Sequence, residues 1–208
     1  MLTETSGRTA QDLAAELAGL RGLDWTAVWQ GPPQGGSSEC RTWCQRNGWE
    51  PQTADRNLVV HSSTGGRWTL EANGNWHPVE SLTHWAWHVG ATDATENPEV
   101  LAHAARVWPG FLAAAEGVLG PAAWSGPWDA QDFPEPPVTG FWPSRDYRLK
   151  TRTPYRMAFW QPTGGHPGQP WFVLVQSVSF AAWTSDTPGG SRLRLSVNAP
   201  EELVTGSW

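Results

Sequence analysis

PEVLAHAARVWPGFLAAAEGVLG, Pro98 to Gly120, is the longest amphipathic pattern in the chain. Leu101, Ala105, Trp108, Leu112, Ala115 and Leu119 recur at spacings of three and four, which puts them on one face of a helix. Asn97 is placed to cap its start, Pro98 suits the first helical position, and Gly120-Pro121 is a stop signal. Pro109 removes a backbone donor and is expected to kink the helix or split it near Val107.

The flanking sequence supplies a sheet for this helix. Upstream, Thr9 to Arg21 is amphipathic, with Leu13, Leu17 and Leu20 opposite Asp12 and Glu16. LDWTAVW is a short apolar segment, Gln30 to Ser38 a Gly/Pro loop, and Glu39 to Asn47 a short helix with Cys40, Trp43 and Cys44 on its inner face. Strands are expected at Asn57–Ser62, Arg67–Ala72 and Ser81–Ala91, with Gly65-Gly66 and Asn73-Gly74-Asn75 as turns. Downstream, the proline-rich run 121–143 reads as irregular. Tyr155–Gln161 and Pro170–Trp183 read as two strands joined by PTGGHPGQ, and Arg192–Val197 as a further edge strand.

The order is two short helices, three strands, the long helix, then two or three strands. It predicts an α+β fold: an antiparallel sheet of about five to six strands packed on one long helix. One domain is expected over 9–199, with a disordered N-terminus at 1–8 and a short tail at 200–208. The second sheet face is left open, or covered by the N-terminal helices or another subunit, so both monomer and homodimer are open.

The 208 residues carry a formal net charge of −6, which argues against a general phosphate-binding surface and hence against nucleic acid. The basic residues are 13 Arg and one Lys, Lys150. No apolar run is long enough to span a membrane, and MLTETSGRTAQDLAAELAGL lacks the basic and apolar regions of a signal peptide; a cytoplasmic protein is expected. Sixteen tryptophans are the compositional anomaly. Trp85, Trp87, Trp160 and Trp171 lie in strand patterns and read as core; Trp124, Trp128 and Trp142 lie among prolines and read as surface.

No pattern predicts catalysis, a metal or a cofactor. Cys40 and Cys44 form C-x3-C with no second pair, a poor zinc signature, and read as two buried apolar side chains. His84 and His88 would suit a metal on a helix, but on a strand they stand roughly 13 Å apart and read as residues of the more polar sheet face, with His61 on a neighbouring strand. No G-x-S-x-G elbow occurs, and none of the Gly-Gly pairs opens a P-loop. Asp129, Asp132 and Glu135 lie beside aromatic residues, as in glycosidase subsites, in solvated acidic loops and in epitopes for basic partners.

Leu20–Trp29 (LRGLDWTAVW), a helix ending in Asn47-Gly48-Trp49, and a helix closing in Leu119-Gly120-Pro121 together resemble an uncharacterised actinobacterial family of small Trp-rich proteins. The resemblance covers roughly 12–183, and the run at 31–38, the 121–143 loop and the C-terminal stretch depart from it. The element order also resembles a type III secretion chaperone-like arrangement. The actinobacterial family brings no established activity, whereas the chaperone-like arrangement implies protein binding. With the acidic balance, the missing catalytic pattern and the acidic–aromatic loop, the expectation is a non-enzymatic protein-binding protein, most specifically an immunity protein that neutralises a bacterial toxin through an acidic face. Trp124, Trp128 and Phe133 would then be anchors, and Asp129, Asp132 and Glu135 would supply charge pairing. A secretion chaperone holding an extended client segment is one alternative. A carbohydrate binder or enzyme using exposed tryptophans is the other.

Overall fold

A computed structural model of the chain describes residues 3–4, 8–53, 57–72, 77–162, 168–184, 186–200 and 203. Among these, the order is β1 (Thr3–Glu4), α1 (Ala10–Leu20), α2 (Trp25–Gln30), α3 (Ser38–Arg46), β2 (Trp49–Thr53), β3 (Leu58–Ser62), β4 (Arg67–Ala72), β5 (Val79–Gly90), α4 (Asn97–Leu119), β6 (Trp124–Pro127), α5 (Arg145–Thr151), β7 (Arg156–Trp160), β8 (Trp171–Val178) and β9 (Gly190–Asn198). Short 3-10 turns lie at Ala94–Glu96 and Phe180–Trp183. The fold is α+β, with more strands than the five to six expected. No helix among the described residues is long and apolar enough to cross a membrane.

The chain divides into two units. One comprises Met1–Ala14, Trp85–Trp160 and Val173–Leu195; the other comprises Ala15–His84, Gln161–Phe172 and Ser196–Trp208. They are called below the long-helix unit and the meander unit.

In the meander unit β2, β3, β4 and the first part of β5 pair antiparallel in sequence order, with Trp49 opposite Ser62, Val60 opposite Trp68 and Leu70 opposite Leu82. In β4 the period-two pattern buries Trp68 and Leu70 and exposes Arg67 and Glu71, as its sequence predicts. β2 was not expected, because WEPQT carries Pro51 and little apolar character; it lies at an edge, where proline is tolerated. The apolar LDWTAVW segment is the helix α2, started by the Asp24 carboxylate accepting from Ala27 N–H. Trp25 and Trp29 stack at 5.1 Å, and the Trp29 indole donates to Gly168 O at 2.7 Å. Ser37 caps α3, which buries Cys40 and Cys44 as expected.

In the long-helix unit the order is β5, β9, β8, β7, β6, with β1 also on β5. The expected edge strand near 192–197 is therefore an interior strand, and its alternation buries Ser191, Leu193 and Leu195. The run 121–143 contains regular structure after all: β6 pairs antiparallel with β7, placing Trp124 opposite Phe159 and Gly126 opposite Met157, with Pro127 at the end of this edge strand. Part of the segment expected to be disordered pairs as well, Thr3 with Gly90 and Glu4 with Val89. The remainder of 1–7, the 73–75 turn, the 163–167 loop and most of the 200–208 tail lie outside the described residues.

α4 runs unbroken through Pro109, against the expected split. Its buried stripe is Asn97, Val100, Ala104, Trp108, Phe111 and Ala115, which shares only Trp108 and Ala115 with the expected one. The helix sits rotated by about one residue because Val100 and Phe111 form a second three-and-four series beside that of Leu101 and Leu112. Pro109 has no N–H for the carbonyl of Ala105. The Arg156 guanidinium of β7 donates to that carbonyl at 3.3 Å, and the Gln176 amide of β8 donates to Ala104 O at 2.7 Å. One sheet side chain thus serves the carbonyl that lacks its helical donor, and a second serves the carbonyl before it.

Candidate interaction surface

Asn97 does not cap α4. It is 2% exposed, and its amide faces the 181–189 segment. Nδ2 donates to the carbonyls of Ala181, Thr184 and Thr187 at 2.8–3.0 Å, and Oδ1 accepts from Gly189 N–H at 2.8 Å. Two amide hydrogens serve three acceptors, so one is shared. A Cβ at Gly189 would stand 2.4 Å from Ala182 backbone, so glycine alone fits there. This clasp holds the 3-10 turn that carries Phe180, a residue 77% exposed.

Phe180 stands at a cleft of about 370 Å³ whose lining also includes Trp85, Trp142, Ser177, Arg192 and Arg194. Trp85 is 43% exposed, although its place in a strand pattern predicts core. The guanidiniums of Arg192 and Arg194 lie 5.1 and 6.0 Å from its ring. No Asp, Glu, His or Cys is among the described residues lining the cleft. Two arginines are among those lining residues, in a chain whose net charge is −6. Nearby, burial pushes His88 below the usual histidine value, and the Arg192 charge adds to that.

Trp142, expected at the surface, is buried: it stacks on Phe159 at 5.1 Å and donates its indole N–H to Pro134 O. In the 124–135 segment Phe133 is the side chain turned inward, toward Arg148 of α5. Phe133 is buried, edge-on to Trp124 at 4.7 Å, and the Trp124 indole donates to Asp132 at 3.2 Å. The buried Arg148 guanidinium lies 3.9 Å over the Phe133 ring and donates to Trp128 O. Burial lowers the Arg148 pKa, and the charges of Glu135 and Asp129 oppose this; the side chain stays a cation. Arg152 lies between Trp128 and Trp183, at 5.6 and 4.6 Å from their rings. Asp129, Asp132 and Glu135 are exposed, Trp124 and Trp128 half-buried. Of the six residues predicted to meet a partner, Phe133 has its ring committed within the chain, and Trp124 and Asp132 bond to one another.

The other sequence candidates are structural. His84 is buried rather than on a polar face; it stacks on Trp68 at 5.0 Å and shares a hydrogen bond with Arg67 O. Cys40 and Cys44 are free thiols, and burial first, with Cys40 beside it, pushes the Cys44 pKa up to about 12, which leaves no thiolate at neutral pH. No group of three or more metal-ligating side chains occurs among the described residues.

The residues that sequence reasoning missed are Trp85, Phe180, Arg192 and Arg194. One signal was available: the alternating arginines of RLRLSV put two cations on one strand face. Comparison of the chain with protein-family models, with curated proteins and with solved structures finds no match in any of the three.

Proposed function

We propose that this chain is a non-enzymatic protein-binding protein, and that its partner docks on the cleft formed by Trp85, Phe180, Arg192 and Arg194. One observation carries the reading. Two exposed aromatic rings, Trp85 and Phe180, and two arginines are gathered at one cleft, with Phe180 left in water on a turn anchored by a buried asparagine. Trp and Arg are the residue types that dominate binding energy at protein interfaces, and aromatic rings are enriched there. The described lining holds the hydroxyls of Thr153, Ser177 and Ser179 but no Asp, Glu, His, Cys, Lys or Tyr beside them to move a proton.

We carry forward toxin neutralisation as the specific form of this role, with the cleft in place of the 124–135 loop as contact surface, because that loop's rings serve its own packing around Arg148. The test is affinity capture from the source organism with the wild-type chain and with W85S/F180S, followed by size-exclusion of the reconstituted pair. The expected result is one stoichiometric partner with a folded toxin-like domain, whose recovery falls at least tenfold with the variant. A partner retained equally by both chains refutes docking at the cleft. A partner held only through an unfolded segment refutes the toxin-neutralising form and favours a chaperone.

A further inference from the structure

The cleft differs in sign from the chain that carries it. A net charge of −6 makes the protein as a whole repel acidic molecules, yet this surface gathers two arginines and no carboxylate among its described lining residues. The arginines are also oriented. Both guanidiniums lie within about 6 Å of the Trp85 ring centroid, a contact that restrains a flexible side chain before any ligand arrives. A guanidinium held in this way keeps N–H donors in its plane, where a carboxylate accepts two of them at once. Arg192 is exposed and Arg194 half-exposed. Next to this cationic part lies an apolar part, Phe180 with Trp142 and Pro143.

We propose that the occupant of the cleft is an acidic surface loop of the partner protein, a short stretch that presents a carboxylate to Arg192, beside Arg194, and one apolar side chain to Phe180. The inference rests on the protein-binding reading above. It reverses the sign expected from the acidic composition, which predicts a basic partner. A polyanion such as single-stranded nucleic acid is disfavoured by the same −6 charge, since two arginines give few phosphate contacts.

The experiment pans a library of disulfide-closed random peptides on the full chain, with counter-selection against W85S/F180S, and reads the enriched sequences. Individual peptides are then titrated against wild type, R192Q, R194Q and R192E, each first shown to unfold cooperatively; a fluorescent dT20 oligonucleotide is titrated in parallel. Enriched peptides that pair Asp or Glu with an aromatic or aliphatic residue support the proposal if R192Q or R194Q weakens them at least tenfold and R192E more. Enriched peptides that depend on Trp85 and Phe180 but are neutral or basic, or that ignore both arginine changes, overturn the acidic occupant and leave the binding reading standing. Absence of any peptide that depends on Trp85 and Phe180 overturns both. Binding of dT20 in place of acidic peptides overturns the choice of a protein loop.

Discussion

The guanidinium of Arg156 donates to the carbonyl of Ala105 at 3.3 Å and so occupies the acceptor that Pro109 leaves without its helical donor. The bond satisfies the carbonyl at the point where Pro109 was expected to kink or split the helix. A part-buried backbone carbonyl left without a donor costs some of the desolvation of that group, and a charged donor offsets the cost better than a neutral one. Arg156→Met is therefore expected to destabilise the chain by about 1–3 kcal/mol. In a Pro109→Ala background, where residue 109 regains its N–H, the same change is expected to cost clearly less. A double-mutant cycle in urea measures this coupling. Equal costs in the two backgrounds show that Arg156 acts independently of the proline.

Asn97 is expected to tolerate no acidic substitute. Asn97→Asp is nearly isosteric, but it sets a carboxylate against the carbonyls of Ala181, Thr184 and Thr187 and removes every donor. A loss of at least about 2 kcal/mol is expected, larger than for Asn97→Ala, which leaves the same carbonyls unmet but adds no repulsion. Hydrogen exchange of the 180–190 backbone should rise in both variants before that of the buried strands. If Asn97→Asp is the milder change, the assigned orientation of the amide is wrong.

Arg148 is expected to resist even replacement by lysine. An ammonium keeps the charge but cannot lie flat on Phe133 while donating to Trp128 O. Arg148→Lys should loosen the 124–142 segment, read as faster limited proteolysis there with little change in overall secondary structure. A cleavage pattern identical to wild type refutes the organising role given to this cation.

The elements legible in the sequence were those whose order is local. The periodicity of 98–120 located α4 to within a residue at each end, and the alternation of RWTLEA located β4. What escaped depended on distant partners. Nothing near RLRLSV says that β9 lies between β5 and β8, so an interior strand read as an edge. Trp85 sits in an alternating run and reads as core, whereas Trp142 sits among prolines and reads as surface; tertiary packing reverses both. Asn97 is polar, so its place in the buried stripe of α4 is invisible until the 181–189 segment folds over it. The cleft was missed for the same reason, being assembled from residues as distant in sequence as Trp85 and Arg192.

Cys44 is expected to be unreactive in the folded chain. It is fully buried, and its thiol is pushed up to about 12, so the thiolate fraction at pH 8 is negligible. Iodoacetamide at pH 8 should not label Cys44 until denaturant unfolds the meander unit, whereas Cys40, which lines a small surface pocket, should label first. Labelling followed by mass spectrometry of the peptide that carries both residues gives the rates. Fast modification of Cys44 under native conditions contradicts the structural role and reopens a nucleophilic one.

Glu16 gives the meander unit a pH dependence with a definite sign. Its carboxylate is 2% exposed and accepts from Ser62 Oγ at 2.7 Å, from the Trp68 indole at 2.9 Å and from Thr64 Oγ1. Burial alone raises its pKa, but the bonds from Thr64, Trp68 and Ser62, with the charge of His84, outweigh burial and hold it below the ordinary value of 4.5. A folded-state pKa below the unfolded one means that this stabilisation is fully present above about pH 4.5 and is lost as the pH falls through the depressed folded value. Glu16→Gln should lower stability at pH 7, because its amide nitrogen accepts no hydrogen bond and at least one of the three donors loses its acceptor, and it should flatten the decline of the urea midpoint on the acid side. Gly66 supplies an independent check. A Cβ at that position would stand 2.2 Å from the Glu16 carboxyl carbon, so Gly66→Ala must push the carboxylate out of its three bonds. The substitution should be costly with Glu16 in place and clearly cheaper beside Glu16→Ala, where the space is vacant. If Gly66→Ala costs the same in both backgrounds, the glycine serves its turn and not the carboxylate. If the acid limb is unchanged in Glu16→Gln, another group governs the loss of stability at low pH.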